Sequence, residues 1–189
     1  FQQRADRHLI PCQVIGRDAT GWWQTLRLGK GSMDGITVDM AVVTPDGLIG
    51  RTANVSLHTV DVLLISDPNC KVSAKLSRTG SFGVVTGVAP LPGARITCSM
   101  DFINKNVPVK AGDEIVTSGL GGIFPKGLLI GYVDQVEVDR SGLYQRADII
   151  PSADLGALEY VFVVVEQAEP FNAFLRGRTA AEEEGDPQP

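Results

Sequence analysis

Features that indicate several common functions are missing from this sequence. The 17 Lys and Arg residues form no block, and the formal net charge is −5. We therefore predict no nucleic-acid groove, because neutralising phosphates requires clustered basic residues. The 2 His and 3 Cys residues show no metal-like spacing, so we predict no metal site. We predict Cys12, Cys70 and Cys98 to be small buried hydrophobic residues.

Long apolar runs are also missing. No stretch of about 18 apolar residues occurs, so the sequence predicts no membrane-spanning helix within these residues. The chain begins at Phe1 without Met or a signal sequence, and we expect a fragment of a longer protein. Residues 1–10 (FQQRADRHLI) predict the end of a helix. Residues 167–189 are acidic and contain proline, which predicts a disordered tail.

An internal repeat is what the sequence does have. Val38–Gly50 returns as Ala111–Gly131, with Ser118–Phe124 inserted. Each copy continues with two aspartates of equal spacing, which are Asp61 and Asp67 in the first copy and Asp148 and Asp154 in the second. A repeat of this length suits a small duplicated domain. Because Asp readily forms Asx-turns, the four aspartates predict turn and strand-edge geometry rather than paired catalytic carboxylates.

Short strands separated by turns fill both copies. Residues in Val133–Asp139 roughly alternate between apolar and polar, as on a half-buried strand. Since closing a sheet removes its exposed edges, we predict an all-β fold of two small, related six-stranded β-barrel domains. Residues 11–77 form the first predicted barrel and residues 78–166 the second, with Arg78–Ser81 as the hinge. The last strand, Tyr160–Val165, could close either barrel.

Four segments resemble one protein family. Ile115–Gly131 (IVTSGLGGIFPKGLLIG) is similar to the signature stretch of the rod shape-determining protein MreC family. Ala41–Arg51 (AVVTPDGLIGR), Leu64–Pro68 and Ala153–Leu155 fit the same family in the same order. The resemblance covers roughly residues 12–165.

The resemblance implies a scaffold rather than an enzyme. Members of this family organise peptidoglycan synthases during bacterial cell elongation, on the periplasmic side of the inner membrane. It implies an N-terminal membrane helix and coiled coil outside this chain, residues 1–10 being the end of the coiled-coil helix. The implied partners are a class B penicillin-binding transpeptidase, membrane partners of the rod complex and, through the missing N-terminal region, an actin-like cytoskeletal protein. We expect the chain to form homo-oligomers or filaments, and we expect it to bind no cofactor.

Apolar and aromatic side chains in turns are the candidate partner-binding residues. Trp22 and Trp23 are adjacent, so on a strand they point to opposite faces and one of them is expected to face outward. Trp is enriched at interface hot spots. The alternative is that the second Trp caps a barrel end.

Two further loops could present such side chains to a partner. Leu120, Ile123 and Phe124 lie on a glycine-rich frame, although packing between the barrels would explain Phe124 equally well. Leu143 and Tyr144 lie at the tip of an inserted hairpin. The alternative there is a solvated turn with Tyr144 folded back.

A serine hydrolase of chymotrypsin type is the alternative function. His58, Asp61 or Asp67, and Ser118 occur in the chain order of that triad. However, Ser118 follows Val116-Thr117 and does not lie in the Gly-Asp-Ser-Gly-Gly turn that such an enzyme uses. We therefore predict no catalytic residues.

Overall fold

The fold is defined by a computed structural model, which describes residues 7–17, 24–88, 95–139 and 142–166. The chain divides into one unit of Leu9–Val165 and another of Phe1–His8 with Glu166–Pro189. Of the second unit, only residues 7, 8 and 166 are described, and they belong to strands. Within the described ranges, no helix has the length and apolar character needed to cross a membrane.

Short strands make up almost all of the regular structure, together with a 3-10 turn at Ser32–Asp34. The strands are β1 (Arg7–Arg17), β2 (Thr25–Leu28), β3 (Ala41–Thr44), β4 (Gly47–Val55), β5 (Val60–Leu64), β6 (Val72–Leu76), β7 (Phe82–Gly87), β8 (Cys98–Asn104), β9 (Glu114–Thr117), β10 (Leu129–Val138), β11 (Tyr144–Pro151) and β12 (Tyr160–Glu166). They form two closed barrels, in the orders β1-β12-β3-β4-β5-β2 and β10-β11-β8-β7-β6-β9. The predicted all-β fold of two six-stranded barrels is confirmed.

The two barrels repeat the same local hydrogen bonds. Asp39 and Gly112 occupy equivalent positions, and both have positive φ, 61° and 85°. The Asp39 amide donates to the Thr52 carbonyl at 2.9 Å, and the Gly112 amide donates to the Val133 carbonyl at 2.7 Å. The repeat seen in the sequence is therefore a repeat of backbone geometry.

The sixth strands are exchanged between the two copies. β6 follows the first copy along the chain but closes the second barrel, between β7 and β9. β12 follows the second copy but closes the first barrel, between β1 and β3. The predicted boundary between residues 77 and 78 placed β6 in the first barrel, and this placement was wrong. Which barrel the last strand closes was left open, and β12 closes the first.

The turns that precede the sixth strands direct this exchange. A Cβ atom built on Gly87 of β7 would lie 1.9 Å from the carbonyl of Ser66, so the turn after β5 lies against the second barrel. The Arg17 guanidinium of β1 donates to the Leu155 carbonyl at 2.9 Å, so the turn after β11 lies against the first barrel. The strand that follows each turn therefore begins beside the other barrel and pairs there.

Two more expectations change. β6 and β7 are paired neighbours, with Lys75 opposite Phe82, so Arg78–Ser81 is a hairpin turn within the second barrel and not a hinge. The Arg78 guanidinium donates to Asp113 at 2.7 Å, which fixes this turn and lowers the pKa of the Asp113 carboxyl. Residues 7–10 were predicted as helix, but they belong to the strand β1. Residues 1–6 and the tail 167–189 lie outside the described residues.

Close contact between strands requires glycine at one equivalent position of each barrel. A Cβ atom on Gly50 would lie 2.1 Å from the Leu63 carbonyl oxygen, and one on Gly131 would lie 2.1 Å from that of Ile150. No side chain fits there unless the strands separate. The two glycines of the repeated Leu-Ile-Gly segments therefore let the strands approach closely.

We expect Gly50→Ala to destabilise the chain by about 2 kcal/mol, because the added methyl group pushes β4 away from β5. Chemical denaturation measures the change. Gly16→Ala is the matched control, since the nearest atom to its Cβ, on Arg27, is 3.6 Å away. An equal loss of stability in both variants would contradict this explanation.

Candidate partner-binding surface

An exposed aromatic pair lies on the second barrel, across β8 and β11. The rings of Phe102 and Tyr144 are 5.9 Å apart between centroids and 79° apart in plane, an edge-to-face arrangement. Phe102 is 64% exposed, Tyr144 44% and the adjacent Leu143 61%. We refer to Phe102, Leu143 and Tyr144 as the Phe102–Tyr144 surface.

A β-bulge turns Phe102 outward. Along β11, Gln145 pairs with Ile103 and Ala147 pairs with Met100, which leaves Arg146 opposite both Asp101 and Phe102. A bulge re-aims side chains, and its left-handed position is normally occupied by glycine.

Phe102 occupies such a left-handed position. Its φ is +64°, a conformation that costs an L-residue with a Cβ atom about 1–2 kcal/mol. Burial of the side chain offsets little of this cost, because most of the ring is exposed. Strain at an exposed aromatic residue is an observation from which a functional role can be inferred.

Polar contacts hold the bulge and its hairpin in place. Arg146 Nε lies 3.2 Å from the Asp101 carboxylate and donates to Ser99 Oγ at 2.6 Å. Gln145 Nε2 donates to the carbonyls of Lys105 at 2.8 Å and Val107 at 3.0 Å. The loop after β8 and the strand after the hairpin therefore form one framework under the aromatic pair.

The glycine-rich loop between β9 and β10 presents one large apolar side chain outward. Leu120 is 59% exposed between glycines of positive φ, whereas Phe124 is 5% exposed and belongs to the core. Ile123 is half-buried against the core. Packing therefore accounts for Phe124, and Leu120 is the residue of this loop that a partner could reach.

Sequence reasoning located part of the surface and missed part. Leu143 and Tyr144 were predicted as candidates, and both are exposed. Trp22 and Trp23 lie outside the described residues. Phe102 was missed, because strict alternation from the buried Met100 places residue 102 in the core. The bulge reverses this alternation, so that Ile103 is buried and Phe102 is outside.

The residues of the alternative hydrolase triad are engaged elsewhere. Ser118 Oγ donates to the Ser73 carbonyl at 3.1 Å and accepts from the Leu120 amide at 3.2 Å. Asp61 forms an ion pair with Arg27 at 2.8 Å. In the described part of the chain, His58 makes no hydrogen bond to these groups, and no group of three or more His, Cys, Asp or Glu could hold a metal ion. The geometry does not support the hydrolase alternative.

The second of the two repeated aspartates in each copy forms a turn. Asp67 Oδ1 accepts from the Asn69 amide at 2.7 Å, and Asp154 Oδ1 accepts from the Gly156 amide at 2.9 Å. Both are Asx-turns at equivalent positions. The interpretation of these two aspartates as turn residues is confirmed.

The three cysteines are buried, as predicted, and all three are free thiols. Burial raises the pKa of Cys70 and of Cys98 to about 12, and it also raises the pKa of Cys12. A thiol with such a pKa is roughly one part in ten thousand thiolate at pH 8, and the thiolate is the reactive form.

We therefore expect Cys70 and Cys98 to resist iodoacetamide at pH 8 in the native chain and to react fully in urea. Mass spectrometry of digested protein reports each site, and Cys12→Ala simplifies the count. Rapid labelling under native conditions would contradict this burial.

The fold and the surface together define a class of protein, a duplicated double β-barrel with exchanged sixth strands and an exposed aromatic surface. The family model described as "Rod shape-determining protein MreC, barrel core" matches residues 14–165. The chain belongs to this family, as the sequence resemblance indicated.

Individual relatives agree with this assignment. The curated cell shape-determining protein MreC of Listeria monocytogenes is 40% identical over 163 residues, which cover 85% of this chain and 54% of that protein. The solved Listeria MreC structure superposes with a TM-score of 0.79 at 37% identity, covering 87% of this chain and 78% of that one. This chain thus spans about half the length of the curated Listeria protein.

A more distant solved structure shares the fold. It is the complex between penicillin-binding protein PBP2 and MreC from Helicobacter pylori, with a TM-score of 0.67 at 20% identity. The match covers 86% of this chain and 99% of the other. At this identity the likeness shows the fold alone.

Proposed function

We propose that this chain is the extracytoplasmic barrel region of a non-catalytic scaffold of the bacterial cell-elongation machinery. The scaffold maintains rod shape by organising peptidoglycan synthases and linking them to the membrane and the actin-like cytoskeleton. It acts on the periplasmic side of the inner membrane, anchored by a membrane helix outside these residues. Membership of the MreC family supports this role.

The observation that carries the proposal is the strained, exposed Phe102 paired with Tyr144. Aromatic side chains held in fixed geometry lose little conformational freedom on binding, and they dominate protein interfaces. The hydrogen-bonded hairpin supplies that fixed geometry. The Phe102–Tyr144 surface is therefore the proposed docking site, with Leu120 as a second contact on the same barrel.

The proposed occupant of this surface is a class B penicillin-binding transpeptidase. The Helicobacter structure supports this choice because it is a complex between a penicillin-binding protein and MreC. A scaffold of this kind acts by binding one conformation of its partner more tightly than another, which shifts the partner's population. Membrane partners of the rod complex, the cytoskeletal link and self-association belong to the same proposal.

The test is a calorimetric titration of this chain against the extracytoplasmic region of the class B transpeptidase from the same organism. We expect saturable binding that Tyr144→Ala weakens about tenfold, in the range of an interface residue worth about 1.4 kcal/mol. Tyr160→Ala is the matched control, an exposed tyrosine on the first barrel. Absent binding, or equal losses in both variants, would refute the proposed surface.

A further inference from the structure

The Asx-turns of the two copies differ in the hydrogen bonds that they make with the rest of their barrels. In the first copy, the Gln24 amide donates to Asp67 Oδ2 at 3.2 Å, and the Leu64 amide donates to the Gln24 carbonyl at 2.9 Å. The residue before β2 is thus bound by both of its main-chain polar groups to the turn after β5. Asp67 is 1% exposed.

Of these two hydrogen bonds, the one donated by the Leu64 amide cannot form in the second copy. Leu26 pairs with Val62 as Cys98 pairs with Ile149, so Ile96 takes the place of Gln24. The position of Leu64 is taken by Pro151, which has no amide hydrogen to donate.

An open cleft lies at this position of the second copy. In the described part of the chain, no hydrogen bond joins Ile96 to Asp154, and Asp154 is exposed. A cavity of about 430 Å³ occupies this place. Its lining includes Arg95, Ile96, Ile150, Pro151, Asp154 and Leu155. Its volume lies in the range of ligand-binding clefts.

We propose that this cleft binds an extended segment of a partner polypeptide, whose main-chain amide donates to Asp154 as Gln24 donates to Asp67. Ile96, Ile150 and Leu155 provide the apolar floor for one of its side chains. The Arg95 guanidinium at the rim pairs with a carboxylate of the segment. The hydrogen bond from Gln24 to Asp67 in the first barrel is thus the model for the bond that a partner would make with Asp154 in the second.

The cleft is separate from the Phe102–Tyr144 surface. Tyr144 and Pro151 are at opposite ends of β11. At about 3.3 Å per residue, the two sites lie roughly 20 Å apart. This inference therefore does not depend on the proposed transpeptidase surface, and each can fail without the other.

The probe is the acetylated and amidated peptide Val-Glu-Val-Thr-Val, titrated into the ¹⁵N-labelled chain. We expect saturable shifts at residues 95–97 and 152–156. Asp154→Asn keeps the acceptor for the Gly156 amide but points an amide NH₂ at the peptide, so we expect binding at least tenfold weaker. Arg95→Glu should weaken it similarly. The matched control, Asp134→Asn on an exposed carboxylate of β10, should change nothing.

One further variant and one modified peptide test the chemistry of binding. Pro151→Leu restores the amide that the first copy has, and we expect it to abolish binding by closing the cleft. The same peptide with N-methylated central amides should not bind, because it has lost its donors. Equal binding by the two peptides, absent shifts, or equal affinity in the Asp134 and Asp154 variants would overturn the proposal. Shifts at the cleft that depend on protein concentration without peptide would overturn it in favour of a second copy.

Discussion

A chain that ends at Glu159 will fail to form the first barrel, although every other strand of that barrel precedes the cut. β12 lies between β1 and β3, so its removal leaves two unpaired edges in a sheet that is otherwise closed. Val161, Val163 and Val164 of β12 are buried in the core. Their loss removes on the order of 5 kcal/mol of apolar burial, comparable to the whole stability of many domains.

The measurement is an NMR spectrum of the shortened chain, together with thermal unfolding. We expect amide signals of β3, β4 and β5 to lose their native dispersion and the unfolding transition to weaken or vanish. A chain that ends at Glu166 is the matched control, because it keeps every described strand. If the first barrel keeps its native signals without β12, the exchanged strand does not close it.

The exchange of sixth strands also shows what the sequence could and could not predict. Short strands, turns and the duplication are local, so alternation and turn residues reveal them. Which barrel receives a strand depends on the direction of the chain after Ser66 and after Ala153, where both copies have the same Asx-turn. Because the Asx-turn sequence is the same in both copies, it cannot indicate that the last strand of each copy closes the barrel of the other.

The residues of the proposed partner surface also divide into those that the sequence predicted and those that it did not. The hairpin with Leu143 and Tyr144 is visible as an insertion relative to the first copy. Phe102 depends on a shift of register between β8 and β11, which no residue of its own segment indicates. Pro151 is the opposite case, since its missing amide can be read from the sequence once the repeat is aligned. The sequence therefore does not predict the register between paired strands.

Phe102→Gly will leave stability nearly unchanged and reduce affinity for the transpeptidase about thirtyfold. Glycine adopts positive φ freely, so the change relieves about 1–2 kcal/mol of backbone strain. It also removes the edge-to-face contact with Tyr144, worth about 0.5–1.5 kcal/mol, and some partial burial. These effects nearly cancel in the free energy of unfolding. Binding has no such compensation, and an interface hot spot costs about 2 kcal/mol or more.

Denaturation and calorimetric titration of the same protein sample measure the two effects separately. Phe82→Ala is the matched control, an exposed aromatic residue on the same barrel whose loss should leave affinity unchanged. A Phe102→Gly variant that is several kcal/mol less stable would identify Phe102 as a structural residue despite its exposure. A variant of unchanged stability and unchanged affinity would mean that the strained conformation serves neither folding nor this partner. Only lost affinity at retained stability connects the bulge to binding, because it shows that the chain keeps a strained aromatic residue for a contact outside itself.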